Sequence, residues 1–75
     1  MADRHPATEH LLSLFEMRRT DSAELDAIYA GFTQLAHDVA NRLPDGPELT
    51  TGLRKLLEAK DCCVRQAIIG QKAKA

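Results

Sequence analysis

The chain has 75 residues, of which 28% are charged and 44% hydrophobic, and its net charge is −1. A chain this small forms one domain at most (residues 1–75), and a balanced charge excludes strong global attraction to nucleic acid polymers. No run of about 18 apolar residues that could span a membrane is present, and the polar N-terminus lacks a signal-peptide core. We therefore expect a cytoplasmic protein with no membrane partner.

The first predicted helix covers residues 6–19. Pro6 suits the first helical position, where no backbone N–H is needed. Arg18 and Arg19 close the segment, where cations complement the negative end of a helix. The apolar residues within it are Leu11, Leu12, Leu14, Phe15 and Met17.

The second predicted helix covers residues 22–43 and is amphipathic throughout. Asp21 and Glu24 have the spacing of a capping box, which indicates a helix start. Pro44 ends the helix because it cannot donate a helical hydrogen bond, and Asp45-Gly46 predicts a turn. The apolar stripe consists of Leu25, Ile28, Tyr29, Phe32, Leu35, Ala36, Val39, Ala40 and Leu43.

The third predicted helix covers residues 47–69, with Gly70 as its stop and a loose tail over residues 70–75. The turn before it is short, so the second and third helices are expected to lie antiparallel. Its apolar stripe contains Leu49, Leu53, Leu56, Cys63 and Ala67, with Lys60 in the middle.

These elements predict an all-α fold in which a short N-terminal helix precedes a long antiparallel hairpin. One short helix covers only part of such a hairpin, so further apolar residues require cover from copies of the same chain. We therefore predict assembly as a homo-oligomeric helical bundle. The residues expected to need cover include Tyr29, Phe32, Leu57, Val64 and Ile68, among others.

Lys60 has three interpretations. Its amine can reach water from the edge of the stripe, or it can pair with an acid on a neighbouring helix. In an oligomer whose third helices converge on a symmetry axis, Lys60 and Arg65 can instead line a site for a polyanionic ligand.

The cysteines favour a structural role. Cys62 and Cys63 are interpreted as small buried apolar residues, because no neighbouring base for a nucleophile is evident. No metal site or cofactor is predicted, because the three histidines do not form a set with the cysteines. The histidines are His5, His10 and His37.

Arg18 and Arg19 have a second interpretation as a phosphate clamp. A nucleotide base would then stack on a nearby platform, for which Phe15, Met17 and Tyr29 are the candidates. Stacking of a base on an aromatic ring stabilises binding by about 1–3 kcal/mol.

The segment "LPDGPELTTGLRKLLEAKDCCVRQAI", together with "LFEM" and "FTQLAHDV" before it, resembles the Acb2/Tad1 helical-hairpin group of phage anti-CBASS proteins. The resemblance covers residues 9–69. It implies a compact hexamer that binds cyclic dinucleotides and cyclic trinucleotides and withholds them from bacterial immunity without cleaving them. It further implies no enzyme activity, and a location in the host cytoplasm during phage infection.

The resemblance also implies where ligands bind. An arginine and a small residue on the last helix of the family's proteins contact cyclic trinucleotides, and the matching positions are Arg65 and Cys63. For cyclic dinucleotides the family uses an aromatic residue whose position matches Met17 or Phe15, whereas its basic partner has no clear match. The alternative function is a small helical homo-oligomer that binds another protein and has no nucleotide ligand.

Overall fold

The computed structural model describes residues 4–16 and 18–74, and it contains three helices. Helix α1 spans Pro6–Ser13, α2 spans Ala23–Arg42 and α3 spans Pro47–Lys74. No strand occurs in the part of the chain that the structure describes, so the predicted all-α class is confirmed.

Helix α1 ends six residues before its predicted end. Its first turn is capped by His5, whose Nδ1 accepts the Ala7 N–H at 3.0 Å. After Ser13 the chain leaves the helix, and the Phe15 carbonyl accepts a hydrogen bond from Thr33 Oγ1 of α2 at 2.5 Å. Phe15 itself is fully buried, so packing against the hairpin overrides the helical pattern of residues 14–16.

Helix α2 begins one residue later than predicted because its cap is Ser22 rather than Asp21. Ser22 Oγ accepts the Leu25 N–H at 3.2 Å, which satisfies one of the free donors of the first turn. At the other end Leu43 has extended backbone geometry, as expected for a residue before a proline.

Helix α3 continues past Gly70, where we had predicted its end. No glycine in the described part of the chain has a positive φ, so Gly70 is an ordinary helical residue. At the next residue, Gln71 Nε2 donates to Ser22 Oγ at 2.6 Å and ties the end of α3 to the start of α2. This contact shows that the two helices run antiparallel, and residues 70–74 form helix rather than a loose tail.

The core forms where α1 packs on the hairpin. The buried apolar residues of the cluster are Leu11, Leu12, Phe15, Ala36, Ala40, Leu49 and Leu53, with Phe32, Val39, Leu56 and Leu57 packed against them. Within the described residues, no helix combines the length and the apolar character needed to cross a membrane.

The turn between α2 and α3 holds the beginning of α1. Asp45 accepts the His5 backbone N–H at 2.7 Å, and its other carboxylate oxygen accepts the hydroxyl of fully buried Thr8 at 3.0 Å. Both hydrogen bonds favour the charged carboxylate, so they lower the pKa of Asp45 below its ordinary value of 3.8. The backbone donor makes the larger contribution, and Thr8 follows.

The apolar residues that we expected to need cover are half-buried within the single chain; they are Tyr29, Phe32, Leu57, Val64 and Ile68. The large apolar side chains that remain exposed are instead Leu14, Leu35, Leu43 and Ile69. The most exposed apolar side chains of the hairpin are therefore others than the five that the sequence singled out.

Candidate functional site

Lys60 points from α3 toward the end of α1. Its side chain is only 12% exposed, and its ammonium donates to the Leu14 carbonyl at 3.0 Å. Leu14 is the C-terminal cap of α1, where backbone carbonyls lack helical partners and carry partial negative charge. Lys60 thus satisfies one of these carbonyls within the same chain.

Aromatic rings surround the same ammonium. Lys60 Nζ lies 5.6 Å from the ring centroid of Phe15 and 6.0 Å from that of Tyr29. Arg18, from the segment between α1 and α2, places its guanidinium carbon 5.8 Å from the Tyr29 centroid. We refer to Arg18, Tyr29 and Lys60 as the Tyr29 cluster.

The Tyr29 cluster carries a net positive charge that is only partly compensated. Asp61 Oδ1 lies 3.7 Å from Lys60 Nζ, but Asp61 is itself half-exposed and solvent weakens the pair. Arg18 is exposed and forms no ion pair among the residues that the structure describes. A half-buried ring flanked by two cations has the chemistry to hold an aromatic group beside a phosphate.

The other candidates for the base platform and the clamp are less suitable in the single chain. Phe15 is fully buried, so it forms the floor beneath Lys60 rather than a surface on which a base can stack. Arg19, unlike Arg18, has no cation–π contact with an aromatic ring among the described residues, and Met17 lies outside them. Tyr29 is therefore the accessible aromatic platform of this region.

Arg65 and Cys62 occupy another side of α3 from Lys60. Five residues separate Lys60 from Arg65, which turns their side chains roughly 140° apart around the helix. Arg65 Nη2 contacts Cys62 Sγ at 3.4 Å, and both cysteines are exposed free thiols. The interpretation of Cys62 and Cys63 as buried apolar residues is therefore wrong, and Cys63 instead borders a surface pocket beside Ile28 of α2.

The structure also reveals a contact that sequence reasoning missed. The sequence suggested Arg18 beside Tyr29 as a clamp and its platform, but it did not bring Lys60 to the same ring. The sequence feature that pointed to this contact was the position of Lys60 on an otherwise apolar stripe of α3. Its partner, the Leu14 carbonyl, lies 46 residues away along the chain and leaves no mark in the local pattern.

No group of three or more metal-ligating side chains is present among the described residues. Comparison with known proteins identifies no relative: no family model, curated protein or solved structure matches the chain.

Proposed function

We propose that the chain is a phage anti-CBASS nucleotide sponge that binds cyclic oligonucleotide messengers and withholds them from their effector. The observation that carries this proposal is the half-buried Tyr29 ring with a cation from each of two separate segments within 6.0 Å of its centroid. Arg18 and Lys60 come from different parts of the chain, so the fold itself assembles the cluster.

The chemistry of the Tyr29 cluster suits a nucleotide. The ring offers a face on which a base can stack, and stacking tolerates different bases. The Arg18 guanidinium can hold a phosphate through two parallel hydrogen bonds, whereas the Lys60 ammonium acts as a point charge. Arg18 is exposed, so its side chain can turn from the ring to a bound phosphate at little energetic cost.

Lys60 has a different task from Arg18 in this proposal. Because it is held by the Leu14 carbonyl, it keeps its position and supplies fixed positive potential beside the ring. A preorganised charge loses little side-chain entropy when ligand binds, which favours affinity. Sequestration requires only tight binding at sufficient protein concentration, so no catalytic group is needed.

The cyclic trinucleotide pocket of the proposal involves Arg65 and Cys63, as the resemblance implies. Both side chains are exposed in the single chain. An exposed arginine on a different side of α3 from Lys60 gains a defined pocket only when a second copy supplies the opposite wall. We accordingly propose a homo-oligomer, a hexamer by the resemblance, in which this second pocket lies between copies.

Isothermal titration calorimetry of the oligomer with a panel of cyclic dinucleotides and cyclic trinucleotides tests the proposal. Arg18→Gln should weaken dinucleotide binding at least about tenfold, because it removes a charged phosphate contact. Arg19→Gln is the matched control, since it removes the neighbouring exposed charge outside the cluster. Tyr29→Leu should abolish stacking, whereas Tyr29→Phe should preserve it.

The fate of the ligand distinguishes a sponge from an enzyme. After the complex is heated and the protein removed, chromatography should recover the cyclic nucleotide intact. A linear product would contradict sequestration without cleavage. An intact oligomer that binds no member of the panel would refute the proposal and favour the alternative of a protein-interaction module.

A further inference from the structure

One side of the hairpin carries an apolar groove of about 470 Å³ that runs between α2 and α3 near their turn. We refer to it as the open groove. Leu35 and Leu43 on its α2 wall remain 47% and 52% exposed, and with the rest of the lining they form a contiguous exposed apolar surface. Its apolar lining includes Leu35, Val39 and Leu43 from α2 and Leu49, Leu53 and Leu56 from α3.

Gly52 lies on the α3 wall of the open groove. A Cβ atom added at this glycine would meet no heavy atom within 4 Å, so the space beside it is open. The helix therefore presents bare backbone to solvent at this position. A glycine at such a point allows a second helix to approach the backbone closely.

Two exposed charges of opposite sign flank Gly52. Glu48 lies four residues before it and Lys55 three residues after it, which places all three on one face of α3. Neither Glu48 nor Lys55 forms an ion pair within the described part of the chain. Along this face of α3, the acidic Glu48 is followed by Gly52, which has no side chain, and then by the basic Lys55.

We propose that a second copy of this chain docks on the open groove, with the two α3 helices crossing antiparallel at Gly52. A two-fold axis beside Gly52 brings Glu48 of each copy to Lys55 of the other, because positions before the crossing meet positions after it. The arrangement is self-complementary, as a two-fold interface requires. A parallel crossing would instead bring like charges together.

The apolar groove supplies the affinity of this interface, and the reciprocal charges set its orientation. Leu35 and Leu43 lie beside the crossing and become covered by the partner copy. The inference rests on the self-association within the proposed function and names the surface that carries it. It does not involve the Tyr29 cluster, so ligand binding and docking can be tested separately.

Analytical ultracentrifugation of the ligand-free protein over a concentration series tests the interface. Glu48→Lys and Lys55→Glu should each raise the dissociation constant of self-association about tenfold or more, because like charges then meet at both ends of the crossing. The double variant Glu48→Lys/Lys55→Glu should restore association, since the exchanged charges again pair. Arg54→Glu/Glu58→Lys is the matched control, because these exposed residues lie on another side of α3.

A second pair of variants tests the crossing point and does not depend on charge. Gly52→Trp should prevent docking through its bulk, whereas its effect on the chain's own core should be small because the surrounding space is open. Circular dichroism should show that each variant keeps its helical content. Gly52→Ala adds only a methyl group and should retain more of the association than Gly52→Trp.

A monomeric wild-type protein would overturn the inference, as would association that is unchanged in Glu48→Lys, Lys55→Glu and Gly52→Trp. Failure of the double charge exchange to restore association would also overturn it. Titration of the same variants with cyclic nucleotides separates the two proposals. If the variants lose self-association but still bind cyclic dinucleotides, both the interface and an independent Tyr29 cluster are supported. If the wild-type protein self-associates as described but binds no cyclic nucleotide, only the proposed function is refuted.

Discussion

Replacement of Lys60 by methionine tests whether this lysine stabilises the end of α1. Methionine keeps the apolar stem but removes the ammonium that donates to the Leu14 carbonyl at 3.0 Å. A hydrogen bond from a charged donor contributes about 1.5–3 kcal/mol, and each cation–π contact adds about 0.5–1 kcal/mol. Releasing the ammonium from its half-buried position offsets part of this loss, so we expect a net destabilisation of about 1–2 kcal/mol.

Thermal unfolding followed by circular dichroism measures this effect. In a domain of this size, about 1 kcal/mol lowers Tm by roughly 4–8 °C, so Lys60→Met should lower Tm by about 4–15 °C. Arg65→Met is the matched control, because Arg65 is exposed on the same helix and its guanidinium donates to the Cys62 thiol rather than to a backbone carbonyl. Its change in stability should stay within about 0.5 kcal/mol.

Equal melting temperatures for the two variants would refute the reasoning. Lys60 would then contribute nothing through the Leu14 carbonyl or the rings, and its proposed role as a fixed charge beside Tyr29 would lose its basis. Protein concentration must be the same in all measurements, because self-association shifts the apparent Tm.

Three further predictions concern a buried core residue, an exposed glycine of α2 and the aspartate of the turn. Phe15→Ala should lower the free energy of unfolding, measured in urea, by about 3–5 kcal/mol, because Phe15 is fully buried. Leu14→Ala should lower it far less, because Leu14 is 40% exposed, and similar losses in the two variants would contradict the core assignment. Gly31→Ala should stabilise α2 by about 0.5–1 kcal/mol, since a Cβ there meets no atom within 4 Å; a lower Tm in dilute solution would contradict this expectation. The hydrogen bond from the His5 backbone N–H lowers the pKa of Asp45 in the folded state below its ordinary value of 3.8. The ionised Asp45 therefore stabilises the fold fully above pH 3.8, and this stabilisation is lost as the pH falls through the lower pKa of the folded state. Urea unfolding of wild type and Asp45→Asn from pH 7 to pH 2 should show a difference that shrinks below about pH 4, and a constant difference would argue against the Asp45 contacts.

Much of the secondary structure was predictable because its signals are local. Helix α2 ends at Arg42 and α3 begins at Pro47, as the prolines around Asp45-Gly46 indicate. Apolar periodicity identified both long helices, since one face of each must leave water. The errors occurred at ends that long-range contacts determine. Gln71, for example, extends α3 by bonding to Ser22, 49 residues earlier.

The candidate site was less predictable than the helices. Lys60 stood out in the sequence as a charge on an apolar stripe, and Arg18 and Tyr29 were each candidates for a ligand site. Their convergence at one ring is a property of the packed chain, because Arg18 follows the end of α1, Tyr29 lies on α2 and Lys60 lies on α3. Likewise, residue type did not show that the cysteines are exposed.

By itself, the sequence determined the helical class, the number of helices and the position of the hairpin turn. These features follow from residue spacing, helix propensity and proline geometry, which act over a few neighbouring residues. Only the tertiary structure decided where α1 ends, which carbonyl Lys60 binds and which apolar groove stays open. Those outcomes depend on contacts between residues distant in the chain, where the gain from packing exceeds the preference of any local segment.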